Sequence, residues 1–165
     1  MGVLFDYFIA PSDDEAAATL ARTSGPGVAL PAPRGLFGRS KGHGMPAYLT
    51  VGDAAFDPVV QAGTLEELLT GRPYDELESD PKWGGILADR DGGEGLVVTV
   101  TDTLVAALAD ADDEQLSALA GAWSQTEEFW GQADPEVLKS LLGDLAGLAR
   151  QARAKGQSVY CWVCV

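Results

Sequence analysis

The run from Ser158 to Val165, Ser-Val-Tyr-Cys-Trp-Val-Cys-Val, places apolar side chains on both alternating faces of an extended chain. A strand of that kind cannot lie on a surface. It needs neighbours on either side and a covering layer on each face, so it constrains the fold more than any other stretch. The preceding segment supplies one such cover. Asp134-Pro135 opens a helix, the aspartate accepting from orphan N–H groups and the proline sitting where a missing N–H costs nothing. Leu138, Leu141, Leu142, Leu145, Leu148 and Ala152 then recur at helical spacing along one face. Arg150, Arg153 and Lys155 fall in the last turns, where the macrodipole favours cations, and Gly156 ends the helix.

Shorter signals precede this unit. Val3 to Ile9 reads as a strand stopped by Pro11, and Ser12-Asp13-Asp14-Glu15 as a capping box for a helix reaching about Arg22. Residues 23–46 hold six glycines and four prolines without periodicity, the composition of a long loop. Tyr48 to Val51 is a short strand candidate. Asp57-Pro58 starts a helical stretch, and Thr64-Leu65-Glu66-Glu67 repeats the capping-box pattern for a helix from Leu65 to Thr70. Arg72-Pro73-Tyr74 turns the chain out of helix, and the passage through Trp83 to Leu87 reads as irregular. Asp91-Gly92-Gly93 is turn chemistry ahead of a strand from Leu96 to Thr101. Thr101 or Asp102 caps one helix, Asp112 the next, and Ser124 to Glu127 a third short turn. Helices and a few strands without strict alternation predict an α+β fold, mostly helical around a small sheet. The 165 residues suit a single domain spanning 1–165, able to bury roughly 70% of the unfolded surface.

The formal charge is −14, from 25 acidic and 11 basic side chains. Such a chain repels phosphate backbones, so nucleic-acid binding is not expected. The acidity reads either as solubility or as a surface complementary to a basic partner. Neither a signal peptide nor a lipidation pattern is found at the ends, and no apolar run is long enough to span a membrane. A cytoplasmic protein without membrane attachment is expected; no pattern sets an oligomeric state.

Met1-Gly2 leading into Tyr7-Phe8, a first helix, Leu68-Leu69-Thr70-Gly71 closing a middle helix, and the apolar terminal strand resemble the YfbM-like family of uncharacterised bacterial proteins. Thr101 to Leu116, a strand end feeding a helix and then an Asp-capped helix, is similar to its pattern too. The resemblance implies an α+β domain and brings no catalytic residues. One departure is clear: where the family places a Trp and a His ahead of the Leu-Thr-Gly ending, this chain has Ala62 and Glu66.

Chemistry-bearing patterns are few. Cys161 and Cys164 would stand about 10 Å apart on opposite faces of a strand, too far for a disulfide. They read as reduced, buried thiols. With His43 they leave a zinc site short of a fourth ligand. Residues 89–94 have a calcium-loop flavour but lack the bidentate Glu, since position 100 is Val, and a hairpin turn accounts for them. No cofactor or metal is expected. His43, the only histidine, sits in a glycine-rich loop that is a poor place to orient a general base.

Two candidate sites remain. Arg34, Arg39, Lys41 and His43, with Arg22, form a positive island, since no acid occurs between Glu15 and Asp53, and the glycine-rich run at 34–44 could cradle an anion. Trp123 and Trp130, flanking Glu127 and Glu128, form either core or an aromatic anchor inside an acidic rim. The first reading of function is therefore a non-enzymatic, acidic protein that binds a basic protein, in the manner of an immunity-like inhibitor of a basic toxin. The alternative is a small-molecule or anion-binding protein, with or without catalysis, using 34–44.

Overall fold

The computed structural model describes residues 2–30, 46–52, 54 and 56–165. Its strands are β1 (Leu4–Ala10), β2 (Thr50–Val51), β3 (Ile86–Arg90), β4 (Gly95–Thr99) and β5 (Ser158–Cys164). Its helices are α1 (Asp13–Ala18), α2 (Val60–Thr70), α3 (Tyr74–Leu77), α4 (Asp102–Asp110), α5 (Asp113–Trp123) and α6 (Pro135–Lys155), with 3-10 turns at Thr19–Ala21 and Glu127–Phe129. The strands form one antiparallel sheet in the order β2-β1-β5-β4-β3, and the fold is α+β.

The doubly apolar closing strand lies at the centre. β5 pairs with β1 through Tyr7 and Cys161 and with β4 through Val98 and Cys161, so both of its edges are bonded. Alternation then splits the core. Val159, Cys161 and Val163 join Tyr7, Ile9, Val98 and Val100 beneath the helical layer, where Leu138, Leu142, Leu145, Leu148 and Ala152 of α6 are buried. Tyr160 and Trp162 point the other way, against Phe8, Ala10, Val97, Ala16 and Leu20. Cys161 is buried in the first layer and Cys164 packs on the second, both as free thiols, and burial pushes the Cys161 thiol well above its ordinary value.

The caps of α6 are those expected: Asp134 accepts from Glu136 N at 2.9 Å, and Gly156 takes a left-handed φ of 62°. Asp112 and Gln115 complete a reciprocal box at α5, and Thr101 caps α4. Three expectations change. Thr64 does not start a helix, because Asp57 Oδ1 already accepts from Val59 N and Val60 N at 2.8 and 2.7 Å, and α2 runs unbroken from there. Residues 86–90 form an edge strand instead of irregular chain, folded back on β4 by the turn at Asp91, Gly92 and Gly93 with a bulge between Ile86 and Ala88. Ser12 caps Glu15 N at 3.2 Å, but the Glu15 carboxylate accepts from the Tyr48 hydroxyl at 3.0 Å.

Candidate interaction surface

The two tryptophans of the acidic segment part company. α5 ends at Trp123, so the seven-residue separation does not keep them on one helix face. Trp123 is fully buried, which removes it from any partner-binding surface. It meets Phe56 and Phe129 edge-on at 5.3 and 5.0 Å, and Phe56 stacks on Tyr7 at 4.6 Å. This row of rings ties the turn at Glu127–Phe129 to the sheet.

Trp130 leaves that row. Its backbone adopts φ 55° and ψ 27°, a left-handed conformation that costs a bulky residue about 1–2 kcal/mol, and its N–H donates to Glu127 O at 2.9 Å. The result is a tryptophan 83% exposed, the most exposed large apolar residue among the described residues. Glu127 beside it is exposed. Glu128 is half-buried and accepts from the Thr64 hydroxyl of α2 at 2.6 Å. Burial, the largest single influence, pushes the Glu128 carboxyl upward, but hydrogen bonds from Thr64, from its own backbone and from Thr126 together outweigh it and hold the group below its ordinary value.

The charge around this turn is of one sign. Residues 91–138 carry eleven acids and no lysine or arginine, and residues 42–71 likewise lack both cations. Several cations elsewhere are committed. Arg150 donates to the carbonyls of Ala109 and Ala111, Arg153 pairs with Asp110, and Lys82 with Asp102.

Arg22, counted above with the positive island, is fully buried. It donates to the carbonyls of Pro26, Val28 and Pro46 at 3.0, 2.9 and 2.7 Å and lies over the Tyr48 ring. It clamps the two described ends of the glycine-rich loop and offers nothing to a ligand. Arg34, Arg39, Lys41 and His43 lie outside the described residues.

Sequence reasoning missed one buried polar cluster. Glu66, 1% exposed, accepts from the hydroxyls of Thr101 and Thr103, with Arg72 at 3.6 Å. Arg72 also donates to Thr103 at 3.0 Å, so the cluster locks the end of α2 to the start of α4. The four positions lie up to 37 residues apart, and no local pattern links them. Beside Glu66 is a cavity of about 10 Å³ lined by Gly63, Trp83 and Thr101, room for a single water. That is too small for a substrate. Among the described residues no group of three or more His, Cys, Asp or Glu is placed to hold a metal ion. No helix among them is long and apolar enough to cross a membrane.

No protein family, curated protein or solved structure matches this chain.

Proposed function

We propose that this protein works by binding another protein of basic character, as an acidic, non-enzymatic interaction module of the immunity-like kind. The observation that carries the reading is Trp130. A large indole is held in water by a backbone conformation that L residues resist, within a segment bare of positive charge. Tryptophan is the residue type most enriched at energetic centres of protein interfaces, and an acidic surround favours a cationic partner and speeds its approach. The YfbM-like resemblance, which implies this fold class and no activity, is carried with the proposal. The alternative anion site on 34–44 rests on residues outside the described ones.

The test is capture from native cell extract on the immobilised chain and on its Trp130→Ala variant. A basic protein retained at low salt, released by about 0.5 M NaCl and not retained by the variant is the expected result. Equal retention by the two proteins would remove the proposal.

A further inference from the structure

The turn that carries Trp130 is bonded to two helices that have an open groove between them. Thr64, which holds Glu128, lies one turn before Leu68 on α2; Trp123, which supports Phe129, lies one turn after Leu119 on α5. Leu68, Leu69, Gln115, Ala118, Leu119 and Ala122 line a groove of about 350 Å³. Leu68 is 43% exposed, and Ala118 and Ala122 form an exposed ridge of small side chains one turn apart. Exposed Glu67 precedes Leu68 and exposed Glu114 precedes Gln115, while neither helix contains a lysine or arginine. The groove thus has an apolar floor with Glu67 and Glu114 beside it in sequence, while Arg72, three residues past Leu69, is engaged by Glu66 and Thr103.

We propose that this groove seats an amphipathic helix of the basic partner, its leucine-like face on the floor and its lysines or arginines toward the acids. The inference rests on the reading of Trp130 as a partner anchor and names what the partner presents. A helix is favoured over a strand for a physical reason. The walls are helical side chains whose backbone groups already bond internally, so an extended segment would find no edge to pair with. A helix satisfies its own backbone and offers side chains at the three- and four-residue spacing of the Ala118–Ala122 ridge. On α5 the lining runs from Gln115 to Ala122, a seat of roughly 10 Å or about two helical turns, faced by Leu68 and Leu69 at the end of α2.

The probe is a fluorescent fifteen-residue peptide of leucine and lysine at helical spacing. The control has the same composition with leucine and lysine alternating, so that net charge is equal and only the apolar face differs. Binding is read by anisotropy against the native chain, Leu68→Lys, Ala122→Lys and Trp130→Ala, each first checked for native circular dichroism. At least tenfold tighter binding of the helical peptide, weakened tenfold or more by the folded Ala122→Lys variant, is expected. Equal affinity for the two peptides, or unchanged affinity in folded Leu68→Lys and Ala122→Lys proteins, would overturn the groove. Loss with Trp130→Ala alone overturns the groove and leaves the anchor standing. Loss with Ala122→Lys alone supports the groove and removes the anchor.

Discussion

Trp123 and Trp130 show how far identical side chains can diverge within one short segment. Trp123 is enclosed by Phe56 and Phe129, so Trp123→Ala should cost about 3–5 kcal/mol in a denaturant titration. Trp130 touches little, and Trp130→Ala should stay within about 0.5 kcal/mol of the native chain. Trp130→Gly should raise stability by up to about 1 kcal/mol, because glycine adopts φ 55° freely. A large loss on Trp130→Ala would show the indole to be structural. Glu128 adds a pH signature. Its folded carboxyl titrates below its unfolded value, so its contribution is present above the unfolded pKa and is lost as pH falls through the folded one. Glu128→Gln should therefore flatten the decline of stability below about pH 4, measured as melting temperature against pH.

At the scale of elements, α6 and β5 govern the fold. Seven buried leucine and alanine positions of α6 face the central strand's own layer, and each buried leucine contributes roughly 1.5–3 kcal/mol. Leu142 is fully enclosed; Leu142→Asp should leave no cooperative transition in a thermal melt. Gly143 and Gly147 lie on the same helix with nothing within 4 Å of where a Cβ would sit. Gly143→Ala and Gly147→Ala should each stabilise by about 0.5–1 kcal/mol, since a helical glycine loses more chain entropy than alanine. If either destabilises, that face of α6 is not free. α2 teaches a different lesson. Thr64 matches the first position of a capping box, yet sits inside a continuous helix and spends its hydroxyl on Glu128, 64 residues away.

Across the whole molecule the charge of −14 opposes compaction. The ion pairs Lys82–Asp102 and Arg153–Asp110 are largely exposed, and pairs of that kind contribute little. Screening the net repulsion should therefore outweigh screening the pairs. Raising NaCl from 20 to 300 mM should lift the melting temperature by about 3 °C, while weakening any association with a basic partner. A melting temperature that falls with salt would mean that the pairs prevail.

The fold class, the closing helix and its caps, the central strand and the separation of the two thiols were legible in the residues, because each follows from periodicity or from groups a few positions apart. Three features depended on the assembled chain. The exposure of Trp130 needed the end of α5 and a left-handed residue to turn it outward. The burial of Arg22 needed carbonyls from both ends of a long loop. The Glu66 cluster needed α2 and α4 side by side. Local patterns encode what backbone hydrogen bonding and side-chain spacing demand within a few turns. Which polar groups meet, and which large side chain is left in water, is settled only when distant segments compete for the same interior.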